Sequence, residues 1–200
     1  MIAQPRAHVV ALACIAAAVG ALAIGLYVLF GDAARSRAPA NGVETTGNLT
    51  VADPVTRDDL VRHLARNPRD GRAWVLLARR DFADNRYADA ASAYENALAA
   101  SARVATDPAI WCEYADALGM TQDGRLEGRP RELVMKALAL NATHPKALEM
   151  AGSAAFEHGE YESAVNYWRQ LLAQIPPRST SHRELAAAIA QAEQRLPGAR

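Results

Sequence analysis

Trp74, Trp111 and Leu148 stand 37 residues apart, and Ala78, Ala115 and Gly152 repeat that interval four residues later in each copy. A large apolar residue followed one helical turn later by a small one, repeated down a chain, describes stacked helical hairpins. The large side chain fills the gap between two helices. The small one lets their backbones approach. A period of this length predicts an array of two-helix units, each packed on its neighbours. Such arrays bind other polypeptides far more often than they catalyse reactions.

The punctuation of the chain agrees with this period. Thr56 with Asp59 three residues on is a capping-box signature, and it starts a helix over about 57–66. That helix stops before Asn67-Pro68, because the residue preceding proline disfavours helical backbone. Its ending, HLARNP, reads as the second helix of a unit whose first helix is missing. The first full hairpin pairs a helix over 71–84 with one over 87–100 and turns at Asn85-Arg86. Its packing residues are Trp74, Leu77, Ala78, Tyr87, Ala90, Tyr94 and Ala97. The second hairpin starts at Asp107-Pro108, an N-cap followed by proline at the first helical position. Trp111, Tyr114, Ala115 and Leu118 make its first helix. A longer turn, TQDGRLEGRP, leads to its second helix over 131–140. The third hairpin starts at His144-Pro145 and carries Leu148, Ala151, Gly152, Gly159, Tyr161, Ala164, Trp168 and Leu171. Pro176-Pro177 stops it. Ser181 and Glu184 form another capping box, for a last amphipathic helix that reaches about Leu196 and covers the open end of the array. Alanine is abundant and half the chain is apolar, which suits close-packed helices. No period-two run of β-branched residues is present. The expected fold is all-α, a tetratricopeptide-repeat array of about three hairpins plus flanking helices over 55–200.

Ahead of the array, 9–30 is a run of 22 residues without a charge. As a helix it reaches ~33 Å, enough to cross a hydrocarbon core of ~30 Å. The run is longer than the apolar region of a signal peptide, and the nearest small-x-small site, Ala38-Pro39-Ala40, lies far beyond it and contains proline. It is also apolar all round rather than striped, unlike a core helix. The expected organisation is therefore a tail over 1–8, a transmembrane anchor over 9–30, a flexible linker over 31–54 and the repeat domain over 55–200. Arg6 precedes the span, and Arg35 and Arg37 follow it, so flanking charge does not decide orientation.

Twenty-two basic and 22 acidic residues balance, so the chain has no electrostatic footprint for nucleic acid. Its two cysteines, Cys14 and Cys112, have no CxxC or Cys/His pairing that would suit zinc, thiol redox chemistry or covalent haem attachment. Cys112 reads as a small core or groove residue. The histidines, at 8, 63, 144, 158 and 182, show no metal spacing. GRLEGRP lacks the lysine and helix start of a P-loop, and Ser153 sits in AGSAAF rather than a nucleophile elbow. The sequence offers no catalytic residue, metal site or cofactor.

A binding groove can be read instead. In a tetratricopeptide superhelix the first helix of each hairpin lines the concave face. Counting from Gly71, Pro108 and Pro145, positions 2, 5, 9, 12 and 13 point inward. They select Arg72, Val75, Arg79, Phe82 and Ala83, then Ala109, Cys112, Asp116, Gly119 and Met120, then Lys146, Glu149, Ser153, Phe156 and Glu157. Apolar knobs (Val75, Phe82, Met120, Phe156) interleaved with both signs of charge suit an amphipathic helix laid in a groove. The alternative is that Phe82 and Phe156 pack within the array and the charges form a solvated face.

Three stretches, LVRHLARNPRDGRAWVLLAR, ALGMTQDGRLEGRP and HPKALEMAGSAAFEHGEYESAVNYWRQLL, carry a resemblance. Residues 60–196 resemble the tetratricopeptide domain of c-type cytochrome biogenesis proteins, the CcmI/CycH/NrfG kind. The extended GR-L-x-G-x-P turn, followed by a helix ending ALALN and then HPKAL, is the most specific part. The resemblance implies a non-catalytic protein of the bacterial inner membrane with its repeats in the periplasm. It implies that the groove holds apocytochrome c, through its C-terminal helix, and presents it to the haem-ligation complex. Longer members carry two spans and an intervening segment. This chain has one span, so it is similar to a short form, and a general cytochrome c role and a nitrite-reductase role both stay open. A generic scaffold for another cell-envelope complex, or a regulatory subunit clamping an enzyme, are the competing readings.

Overall fold

The computed structural model describes residues 55–196. The tail, anchor and linker expected over 1–54 lie outside them. Nine helices and no strand are found among the described residues. Helix α1 (Arg57–Arg66) opens with the Thr56–Asp59 capping box. Hairpin one is α2 (Gly71–Ala83) and α3 (Tyr87–Ala100). A single turn, α4 (Ala102–Ala105), leads to hairpin two, α5 (Pro108–Met120) and α6 (Arg129–Leu140). Hairpin three is α7 (Pro145–Glu157) and α8 (Tyr161–Leu172), and α9 (Thr180–Glu193) packs on α8.

The repeating residues do the packing that their spacing predicts. The indoles of Trp74 and Trp111 are partly buried against the core. Each Nε1–H donates to a carbonyl six residues back, Pro68 O and Ala105 O, both at 2.9 Å. Each indole therefore fills the inter-helix gap and ties down the link that enters its helix. Leu148, the third copy, has no donor and is fully buried. Ala78 and Ala115 are 0 % exposed. Gly152 lies against Trp168, so that a β-carbon there would stand 2.2 Å from the indole nitrogen.

Hairpins one and three close identically. Asn85 and Gly159 occupy the left-handed region, at φ 60° and 76°. Arg86 N–H donates to Asp81 O and Glu160 N–H to Ala155 O, each at 2.8 Å. Phe82 meets Tyr87 edge-on at 5.3 Å, and Phe156 meets Tyr161 at 5.4 Å. Hairpin two departs from this pattern because Gly119 stands where the phenylalanines stand. Its long turn folds back so that Leu126, which is buried, fills the gap. A β-carbon on Gly119 would lie 3.2 Å from Leu126 Cδ2. Leu126 N–H also reaches Glu157 Oε2 at 3.4 Å, joining the turn to the end of α7.

Several details differ from expectation, among them the end of α9, which lies at Glu193 and not at about Leu196. Helix α6 starts at Arg129, two residues early, because Pro130 fits a first helical turn, where no backbone N–H is needed. Helix α9 is capped by Ser179, whose hydroxyl accepts from His182 N–H at 3.1 Å, and not by the Ser181–Glu184 box. Ser181 lies in the first turn of α9 and is buried. Helix α4 was not expected at all. Ser101 caps it, and its Val104 packs over Gly71, where a β-carbon would be 3.2 Å from Val104 Cγ2.

Candidate functional site

Side chains of α2, α5 and α7 meet across one face, and most of the charges read from the sequence lie on it. Arg79 of α2 grips Glu113 of α5 with two bonds, Nε to Oε2 at 2.8 Å and Nη2 to Oε1 at 2.7 Å. Tyr94 O–H donates to the same Oε2 at 2.8 Å. The Glu113 bonds hold the Arg79 pKa up, against the effect of burial. Burial, with the Glu113 charge, pushes the Tyr94 phenol up as well. Glu113 is thus saturated from two sides, and the group is neutral when Tyr94 keeps its proton.

One repeat further on, Lys146 of α7 stands between two acids. Its Nζ is 3.5 Å from Asp116 Oδ2 and 3.8 Å from Glu149 Oε2. Burial raises the Asp116 and Glu149 carboxyls, and Lys146 only partly offsets that rise. Burial lowers the Lys146 ammonium, but the two carboxylates outweigh it and the net shift is upward. Below the trio, Cys112 is buried, and its Sγ lies 3.9 Å from His144 Nδ1. Burial pushes the Cys112 thiol up to about 12, so it stays a neutral thiol and not a nucleophile. His144 caps α7 by accepting Ala147 N–H at Nδ1, 3.3 Å away. Its proton therefore sits on the other ring nitrogen. Burial lowers its pKa.

The remaining groove residues divide by exposure. Arg72, Ala83, Met120 and Glu157 are exposed; Ala109 and Ser153 are half-buried; Val75, Gly119 and Glu149 are buried. Of the four apolar knobs read from the sequence, only Met120 is exposed, at 41 %. Phe82 packs on Tyr87. Phe156 is held between Tyr161, Trp168 and the guanidinium of Arg195, which lies 5.1 Å over its ring. The inward face is therefore mainly polar, with Met120 as its large exposed apolar side chain. Glu113 was missed by the inward register. It occupies position 6, which faces position 9 of the preceding hairpin, and the opposite charge at Arg79 was the available signal.

The buried acid gives a stability prediction. A folded-state pKa above the unfolded one means that the native state binds more protons, so Glu149 contributes less stability as pH rises through that interval. Glu149→Gln removes that cost and leaves Lys146 paired with Asp116. The variant is expected to unfold at a higher urea concentration than wild type at pH 7.5. The gap should close as pH falls into the ordinary carboxylate range. A gap that widens on acidification would refute the placement of this carboxylate.

Comparison with known proteins places these observations in a family. The chain is 31% identical over 164 residues to the cytochrome c-type biogenesis protein CycH of Bradyrhizobium diazoefficiens, covering 78% of this chain and 42% of that one. It is 27% identical over 179 residues to the CycH protein of Pseudomonas aeruginosa, covering 88% and 41%. The chain thus spans about two fifths of the length of these relatives. Among solved structures, the crystal structure of MamA superposes with a TM-score of 0.55 at 13% identity, covering 70% of this chain and 85% of that one. That likeness supports the helical-repeat fold alone. A family model described as the cytochrome c-type biogenesis protein H TPR domain matches residues 60–182, and the chain belongs to that family.

Proposed function

We propose that this chain is a membrane-anchored chaperone of c-type cytochrome maturation. Its repeat domain lies in the periplasm, holds the C-terminal helix of apocytochrome c on the α2–α5–α7 face, and presents it to the haem-ligation complex. Membership of the biogenesis family carries this reading. The face supports it with ordered charges beside an exposed methionine, the pattern of a surface that orients a helix by its polar groups and grips it by an apolar one. No step of this role asks for a catalytic group. In this reading the uncharged run over 9–30 is the anchor, and the resemblance to the biogenesis family is what supports the periplasmic side.

The test is titration of a fluorescently labelled C-terminal segment of an apocytochrome c into the protein. Wild type is expected to bind it. Met120→Asp, which puts a charge on an exposed position and leaves the core alone, is expected to weaken binding roughly tenfold. A folded wild type that binds no such segment would sink the cytochrome reading and leave a generic cell-envelope scaffold ahead.

A further inference from the structure

The two polar clusters of the face differ in kind. Around Glu113 every bond is short and both signs are matched. Around Lys146 one ammonium faces two carboxylates, at 3.5 Å and 3.8 Å, ion-pair distances beyond a good hydrogen bond. Asp116 and Glu149 together carry one more negative charge than Lys146 neutralises. Glu149 is only 7% exposed, so water solvates it poorly. It is not sealed, however. No side-chain nitrogen or oxygen among the described residues is cut off from solvent without a hydrogen-bond partner. Among the described residues no hydrogen bond within 3.5 Å reaches the Glu149 carboxylate, and its side chain keeps 9% of its surface exposed. The difference comes from four changes on one repeated pattern. Position 9 changes from Arg79 to Asp116, position 6 from Glu113 to Met150, position 5 from Cys112 to Glu149, and position 2 from Ala109 to Lys146. An under-donated pair of carboxylates in a partly desolvated wall has the chemistry of an acceptor for a cationic donor. An arginine fork or a lysine ammonium supplies the missing bonds and the missing charge.

We infer that Asp116 and Glu149 form a receptor for one basic side chain of the polypeptide held on this face, with Lys146 as the internal cation that such a side chain competes against. The inference rests on the reading that the face binds a polypeptide, and it names the chemistry that the polypeptide must carry. Met120 lies four residues beyond Asp116 on α5 and Ser153 four beyond Glu149 on α7, one helical turn along the same wall. A helical partner with a basic residue at the carboxylates therefore places its neighbour one turn away over the exposed Met120. The expected ligand signature is an arginine or lysine with an apolar residue three or four positions away.

The experiment uses the full chain in detergent solution and two labelled probes followed by fluorescence anisotropy. One probe is an apocytochrome c C-terminal segment. The other is a synthetic helical peptide of alanine, leucine and glutamine with a single arginine, compared with its Arg-to-Gln counterpart. The protein variants, each checked for helicity, are Asp116→Asn/Glu149→Gln and Lys146→Met. The double variant is expected to weaken the arginine probe roughly tenfold or more and to leave the glutamine probe unchanged. Lys146→Met, which removes the competing cation, is expected to tighten the arginine probe. A merely structural role for Lys146 could only loosen binding. Weaker binding of the arginine probe to folded Lys146→Met overturns the inference. So does equal binding to wild type and the double variant; if the apocytochrome segment still binds, the proposed function survives that result. If the arginine probe behaves as expected and the apocytochrome segment does not bind, the receptor stands and the cytochrome reading falls. If neither probe binds wild type, both fall.

Discussion

Replacing Gly152 with alanine is expected to destabilise the array by roughly 1–3 kcal/mol, and replacing it with leucine by more. The reason is local. A β-carbon at this position would stand 2.2 Å from Trp168 Nε1, 2.3 Å from its Cδ1 and 2.8 Å from its Cε2. Those atoms belong to a rigid ring, itself packed in the core around α8 and α9 with Leu148, Leu171, Leu185 and Ile189. The indole cannot step aside by rotating a flexible end, as a lysine would. Either α7 and α8 separate or Trp168 leaves its rotamer, and both outcomes disturb contacts on every side. A double-mutant cycle isolates the cause. Trp168→Leu alone opens a cavity and costs stability, but Gly152→Ala in that background should cost far less than in wild type. Urea unfolding monitored by circular dichroism gives the four values. Strictly additive losses would show that the two residues do not meet, and would move the register of the third hairpin.

The same contact explains how much of the fold was legible from the chain. The 37-residue interval is carried by first helices, where each large and small pair is fixed by packing inside one hairpin. Trp74, Ala78, Trp111, Ala115, Leu148 and Gly152 could therefore be placed without knowing their neighbours. Second helices keep the interval only between the first and third hairpins, where Tyr87 and Tyr161 stand two intervals apart. Tyr87, Pro130 and Tyr161 take matching places, but the long turn shifts Pro130 along the chain. Leu126 fills the space left at Gly119, a substitution that no local pattern announces. Helix α4 was invisible because four residues carry no periodicity.

The face was legible in its positions and not in its exposure. A register rule states which way a side chain points, but exposure depends on what the adjacent hairpin brings. Val75, Cys112 and Glu149 share one register position, and all three are buried. Phe82 and Phe156 were read as groove knobs with internal packing as the alternative, and the tyrosines that open the following helices take them up. Glu113 was overlooked because the inward register omits position 6.

The largest loss of stability is expected from removing both arginines that serve Asp81. This carboxylate is 1 % exposed and sits near the end of α2. Its Oδ1 accepts Arg57 Nε at 2.7 Å from α1, and Arg86 Nε at 2.8 Å and Nη2 at 2.6 Å from the hairpin turn. The arrangement staples the first helix and the first turn onto one buried charge. The matching position in hairpin two is Leu118 and in hairpin three Ala155, so the array does not need a charge there to form a hairpin. What the charge adds is the docking of α1. Arg57 and Arg86 are each more than a third exposed, so either can turn toward water when Asp81 is removed. Asp81 has no such escape. With one arginine left, the carboxylate keeps a partner, and each single alanine variant should cost only a fraction of the full loss. With neither left, an uncompensated charge stays buried, at a cost of about 3–5 kcal/mol. The losses should therefore be non-additive, the double variant exceeding the sum of the singles. Amide hydrogen exchange adds a spatial readout. In Arg57→Ala the amides of α1 should lose protection while those of α7 and α8 keep theirs, because α1 packs on α2 through Leu60 and Leu64 and depends on this ion pair to hold its orientation. Additive losses with α1 protection unchanged would show that Asp81 is adequately served by its own hairpin, and that α1 is held by its leucines alone.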